Sequence, residues 1–436
     1  LIFPSIEAIS ALNAMNALAA SFSLFFAYKI FKQLDASDLT ASIFVFFCGA
    51  SFGFFRFATD AETYILPILF SLISTHFFIK KSTPFNLFFS ALFSVLAVLT
   101  HQLHIWWTLA LLIYLIKNQS YTLQSKIIYS LTLCLIPLSY YLAYLFSPFN
   151  GNFFEFILGE YNKGNASIDI SFLSLKLSFI NFIRTFIQIH GNILFIFKSY
   201  PIICTAVTLI CIGIVSIALK SLKNTSQFNG VSKKLGFFPK LKPQFHSLFL
   251  LASVFHFVFA FLSSGNAEFM AMLPFVLCFL IASQYQMVKF NFNLLLALLL
   301  FVWNLSFGIL SHSILDIKKV NNQVEFIVNH PNAIFISDNK NLIENQLTYQ
   351  YGFMNRPNLN KTNITPSEMN ELLQKDFKIY TDVSLQKGPI SRKELLTTNS
   401  LVEELKDFQL QKVDSFDNIY GKNFIRMILP KKYTLP

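Results

Sequence analysis

Long stretches of apolar side chains, broken by short polar or lysine-bearing segments, run through the first three quarters of the chain. They cover Ile6–Ile30, Thr40–Phe57, Glu62–Ile79, Phe85–Thr100, Ile105–Ile116, Ile127–Phe146, Tyr200–Leu219, Ser247–Leu262, Phe269–Ser283 and Phe292–Leu310. Several exceed the ~18 residues that carry a helix across a bilayer core of about 30 Å. Beyond Asp316 the pattern changes: Asn, Lys, Asp, Glu and Gln rise and apolar runs shorten to strand length. Ala333–Ser337 and Lys378–Val383 read as strands, Leu342–Tyr351 and Pro366–Leu373 as helices, and Phe408–Val413 with Asn423–Leu429 as a hairpin around 418–422. The expected fold is an all-α polytopic membrane domain of about ten transmembrane helices over residues 1–312, followed by a small soluble α/β domain over 313–436.

Composition agrees. The chain is 54% hydrophobic and 13% charged, about half the charge of a soluble domain, which leaves too little polar surface to clothe a globule in water. The formal net charge of +11 does not point to nucleic acid, because the basic residues are spread over the ends of apolar runs rather than gathered in one patch. The five cysteines, Cys48, Cys134, Cys204, Cys211 and Cys278, all lie inside apolar runs without CxxC spacing and read as small core hydrophobes. The chain opens on Leu1 within apolar sequence, so a preceding portion is expected.

Lysine and arginine bias sets the expected orientation. Segments 29–34, 80–83, 117–126, 220–242 and 289 are basic and are expected on the cytoplasmic side. Alternation then places 58–62, 101–104, 147–198, 263–268 and everything after about 312 outside. That side collects the other ionisable groups: Arg56, Asp60 and Glu62; His101 and His104; Glu155, Glu160, Arg184 and His190; and Glu268. Asp60 is expected near the N-cap of a helix that Glu62 opens, with Arg56 as counter-charge. His101 and His104, three apart, are expected on one helical face, suited to phosphate binding, proton transfer or metal ligation, or else as polar caps beside Trp106 and Trp107. Pro67 follows Glu62 much as Pro274 follows Glu268, and prolines within such runs would free backbone carbonyls toward a polar cavity. The stretch 170–189 is expected to lie as an amphipathic helix in the interface plane. His76 and His256 read as satisfied core histidines.

The segments Phe55-Arg-Phe-Ala-Thr-Asp-Ala-Glu-Thr-Tyr-Ile-Leu-Pro67, Leu99-Thr-His-Gln-Leu-His104 and Gly265-Asn-Ala-Glu-Phe-Met-Ala-Met-Leu-Pro274, with the hydropathy layout of about 1–312, resemble bacterial GT-C glycosyltransferases. These are polyprenyl-phosphate-sugar-dependent enzymes similar to protein mannosyltransferases and lipid A aminoarabinose transferases. The resemblance implies transfer of a sugar from a lipid-linked donor to an envelope lipid, glycan or protein at the outer face of a bacterial inner membrane, with the C-terminal domain periplasmic. It carries over Glu62 and His101 as outer-cavity groups, with Glu268 opening a late helix. The chemistry of transfer and the shared outer placement then give Glu62, Asp60 and His101 as expected catalytic groups and Arg56, His104, Glu268, Arg184 and Tyr64 as expected substrate-binding groups. No cofactor is required by the sequence, although a divalent metal is compatible with it. The family's catalytic carboxylate usually lies in the first outer loop, which would here precede Leu1. A noncatalytic subunit of an envelope assembly is the alternative function; a secondary transporter fits less well, since ionisable residues are scarce in mid-run.

Overall fold

The computed structural model describes residues 8–80, 83–160, 170–188, 192–223, 237–239, 245–263, 265–287, 290–311, 320–337, 340–351, 364–383, 405–418 and 421–430. In chain order the α-helices are α1 Ala8–Gln33, α2 Asp38–Ala50, α3 Phe52–Thr59, α4 Ile65–Lys80, α5 Pro84–Thr100, α6 Ile105–Lys117, α7 Leu123–Leu133, α8 Leu135–Phe146, α9 Phe153–Glu160, α10 Phe172–Phe186, α11 Asn192–Ser199 and α12 Pro201–Lys223. They continue as α13 His246–Leu262, α14 Leu273–Gln284, α15 Phe290–Asn304, α16 Asn321–Asn329, α17 Lys340–Tyr351 and α18 Pro366–Gln374. The strands are β1 Phe237–Pro239, β2 Tyr285–Met287, β3 Ile334–Ile336, β4 Ile379–Thr381, β5 Phe408–Asn418 and β6 Gly421–Pro430. Two compact units result: Leu1–His190 with Ile202–Ser311, and Gly191–Pro201 with His312–Pro436.

The first unit is an apolar helix bundle. Among the described residues five helices are long and apolar enough to cross a membrane: Ile9–Gln33, Leu123–Phe146, Pro201–Ser221, Ala267–Gln284 and Phe290–Leu310. A sixth exists if α2 and α3 form one span bent by 66°. Four further apolar helices, 65–80, 84–100, 102–117 and 246–262, are shorter. Helix α4 packs between α1 and α5, α5 also meets α7, α13 lies against α6 and α14, and α15 runs along α2. Phe31, Leu72, Phe78, Trp107, Phe249, Phe275 and Phe279 fill the shared core. Small polar residues thread it: Ser74 Oγ lies 2.8 Å from Ser94 Oγ and 3.2 Å from Ser90 Oγ, so hydroxyls are satisfied without water where helices approach closely.

Several boundaries depart from the sequence reading. The expected crossing Thr40–Phe57 is broken at Ser51, which ends α2 and begins α3. The bend is held from outside the run: buried Asn304 donates to the carbonyl of Ala50 at 2.8 Å, and Gly308 packs so tightly on Phe52 that an added Cβ would meet its ring at 2.5 Å. Pro67 and Pro274 stand in the first turns of α4 and α14, where a missing N–H costs no intrahelical bond, so they free no carbonyls toward a cavity. Residues 285–287 pair antiparallel with 237–239, a short ribbon that the run pattern did not suggest. Cys134 is exposed, unlike Cys48, Cys204, Cys211 and Cys278, and so is not a core residue.

Among the described residues the second unit holds a four-stranded mixed sheet in the order β3-β4-β6-β5. β3 and β4 are parallel, and β6 runs antiparallel to both β4 and β5. Ile336, Ile364, Met369, Ile379 and Ile428 form one apolar cluster, and Val324, Phe335, Ile343, Leu347 and Ile425 another. Helix α18 begins with a capping box in which Thr365 and Glu368 satisfy each other's backbone N–H groups.

Candidate functional site

Arg56, Asp60, Tyr64, His101, Glu268 and Arg184 converge at one end of the bundle, and asparagines hold the segments that carry them. The loop 60–64 joins α3 to α4. Asn16, fully buried in α1, donates its amide to the carbonyls of Asp60 at 2.8 Å and Glu62 at 2.6 Å. An asparagine in an apolar helix is costly unless it works as a donor or acceptor, and here it fixes the loop backbone. Asp60 follows the last residue of α3 instead of capping α4, which begins only at Ile65, so neither it nor Glu62 opens a helix. Its Oδ1 accepts from the N–H of Ala61 at 3.0 Å, and its Oδ2 lies 3.8 Å from Arg56 Nε.

Tyr64 reaches across the chain: its hydroxyl donates to Glu268 Oε2 at 2.9 Å. Burial, and then the negative charge of Glu268, raise the phenol's pKa above its usual range, so it remains a donor at every physiological pH. Glu268 lies in a 3₁₀ turn, Ala267–Met270, ahead of α14. Asn266 caps that turn by accepting from the Glu268 N–H at 3.2 Å, and its own amide lies 3.3 Å from Glu268 Oε2. The tyrosine ring also lies 4.9 Å from the imidazole of His101. His101 stands between α5 and the turn 102–104, with Nδ1 accepting from the Leu103 N–H at 3.2 Å. Burial lowers its pKa below the usual imidazole range, against the opposing pull of Glu268.

His104 goes elsewhere. It is buried, its Nδ1 is 2.7 Å from Ser71 Oγ, and its ring lies 6.2 Å from that of His256. The expected shared face with His101 is not formed: their rings are 6.5 Å apart and 76° from coplanar, because His101 is extended at φ −153° and starts a tighter turn. His256 is fully buried with neither ring nitrogen hydrogen-bonded, so it is not the satisfied core histidine expected.

Arg184 comes in on α10. Its Nη1 donates to Asn181 Oδ1 at 3.0 Å, while Asn181 donates to the carbonyl of Gly265, tying α10 to the turn that carries Glu268. Gly265 has φ +66°, and a Cβ there would sit 2.5 Å from the backbone nitrogen of Ser178. Arg184 and Arg56 lie within electrostatic reach of each other, and Arg56 in turn faces Asp60. Thus Arg56, Asp60, Tyr64, His101, Glu268 and Arg184 share one end. Asn16, Asn181 and Asn266 were missed as their organisers. His190 lies outside the described residues, as does the side chain of Glu160. Among the described residues no group of three or more His, Cys, Asp or Glu is placed to hold a metal ion.

Comparison of the chain with protein-family models, with curated proteins and with solved structures gives no match.

Proposed function

We propose that this chain is an integral-membrane glycosyltransferase that moves a sugar from a polyprenyl-phosphate carrier to an envelope acceptor at the outer face of a bacterial inner membrane. In this reading the shorter apolar helices also cross, giving about ten spans, and the residues after about 312 form an extracytoplasmic α/β domain. One observation carries the proposal: two arginines, an imidazole and hydrogen-bonded carboxylates meet at a single end of an apolar bundle. A lipid-linked donor keeps its tail among acyl chains and presents its phosphate at that level. Arg56 and Arg184 supply charge-assisted hydrogen bonds to the departing phosphate. Asp60, Glu62 and His101 are the groups able to take a proton from an acceptor hydroxyl. Glu268, held by Tyr64 and Asn266, is suited to orienting the sugar or the acceptor.

The test is transfer by the purified full chain supplied with radiolabelled polyprenyl-phosphate sugars. Wild-type turnover is expected, with loss of at least about 100-fold in Glu62→Gln or Asp60→Asn and weakened donor binding in Arg56→Ala. A wild-type protein that binds the donor but transfers nothing would move the assignment to a noncatalytic subunit; no donor binding at all would remove the lipid-linked substrate.

A further inference from the structure

We infer that residues 171–188 form a re-entrant membrane segment: α10 enters the bilayer from its amino end, stops within it, and faces phospholipid acyl chains along its outer side. Two independent observations carry this. The first is polarity. The buried side of α10 consists of Ser174, Leu177, Ser178, Asn181 and Thr185, four of the five polar. The outward side carries Phe172, Phe179 and Ile183, which are 83%, 56% and 49% exposed, while Asn181 and Thr185 are only 4% and 2% exposed. A helix packed on protein with its other side in water buries its apolar stripe; α10 does the reverse. The inner side packs on α3, α13 and the 3₁₀ turn around Glu268, so its polar groups bond to protein and not to water. The one charge on the outer side, Lys176, lies in the amino-terminal half, where a long side chain reaches headgroup phosphate.

The second observation is depth. The carboxyl end of α10 terminates on α15, where Asn304 donates to the carbonyl of Phe186 at 2.7 Å and accepts from the N–H of Gln188 at 2.8 Å. Trp303 donates to the carbonyl of Gln188 at 2.8 Å. Asn304 is not at the end of its span: Leu305–Leu310 continue the candidate crossing Phe290–Leu310. Those residues place the end of α10 roughly 8 Å inside the span. A helix end at that level has no water to satisfy its carbonyls, and the two side chains of α15 take that role. The interface-plane helix expected from sequence is thereby replaced by a segment that carries Arg184 below the headgroup level, reachable by an anionic lipid arriving sideways.

Nitroxide labels placed one at a time at Leu175→Cys, Phe179→Cys and Ile183→Cys test it, in a full-length protein whose native cysteines are replaced, reconstituted in phosphatidylethanolamine–phosphatidylglycerol vesicles. Accessibility to oxygen over that to a water-soluble nickel chelate is expected to rise from 175 to 179 to 183, reaching the value at Leu209→Cys in α12 and standing several-fold above that at Val413→Cys. Equal depths at the three positions would mean a helix lying flat, and nickel accessibility like that at 413 would mean a water-facing one; either overturns the inference. The increment in emission of Phe179→Trp over the wild type, which carries Trp106, Trp107 and Trp303, gives a second readout with the native cysteines retained. Quenching of that increment by brominated phosphatidylcholine is expected and quenching by iodide is not, and the reverse would also overturn it.

Discussion

The two ends of the helix bundle solve the placement of charge in opposite ways. At the lysine-bearing end the charged contacts are local and exposed: Lys32 Nζ lies 2.8 Å from Asp38 Oδ1, Tyr28 donates to the same oxygen at 2.7 Å, and Lys126 donates to the carbonyl of Ile116 at 2.9 Å. None of these three joins residues more than 10 apart in the chain; the longer reaches at this end are made by neutral groups, Gln33 to the carbonyl of His76 and Tyr121 to that of Phe78, each across 43 residues. At the other end Asn16 binds the loop 44 and 46 residues on, Asn181 reaches Gly265 across 84 residues and Tyr64 reaches Glu268 across 204. Exposed pairs between near neighbours in water contribute little and are readily exchanged. Half-buried bonds between distant segments fix a geometry, which a reacting site requires.

The contrast can be broken by substitution. The largest effect is expected at Gly265→Ala, where left-handed backbone and a clash with α10 combine to cost more than about 3 kcal/mol in detergent-micelle unfolding. A near-neutral result there would mean that α10 does not rest on this turn. Asn16→Ala is expected to cost about 1–3 kcal/mol, because it leaves the carbonyls of Asp60 and Glu62 without their donor. Unfolding followed against pH should then show His101 at work. Its folded-state pKa is lowered by burial, so its contribution is complete above the ordinary imidazole value of about 6.5 and is lost as pH falls below it, where the unfolded chain gains a proton that the folded chain resists. The wild type should therefore lose more stability than His101→Asn on acidification from about pH 7.5 to 5.5; an equal or smaller loss would place His101 in water. The smallest effect belongs to the opposite end: Asp38→Asn should leave the melting temperature unchanged, and a clear drop would erase the difference between the ends.

Membrane-helix character was plain in the sequence, since a span is written in consecutive residues. So were the helix expected over Pro366–Leu373 and the hairpin expected from Phe408–Val413 with Asn423–Leu429, which the structure shows as α18 and as a longer pairing of 408–418 with 421–430, while the cap on Thr365 was not read. What escaped depends on partners far away. Nothing within 40–57 announces a bend at Ser51, because Asn304 and Gly308 impose it from 254 and 256 positions downstream. The periodicity of α10 was visible but not its sense, for a repeating polar stripe looks the same whether water or protein receives it. The loop acids were found by their charge, whereas Asn16 and Asn181 were passed over as ordinary polar residues. Their presence inside apolar stretches was the available clue, since an amide is retained in such a place only where it has a task.

Leu305–Leu310 is wound as a π-helix directly after α15, holding a surplus residue within that span. Deleting any one of the six would permit ordinary winding and swing one flank by about 100° against the other. Asn304 would then keep its hold on Ala50 and Phe186 only by withdrawing Gly308 from Phe52, or the converse. The position of two grips on separate partners is thus encoded in a count of residues, so this span should accept exchanges of side chain far more readily than changes of length.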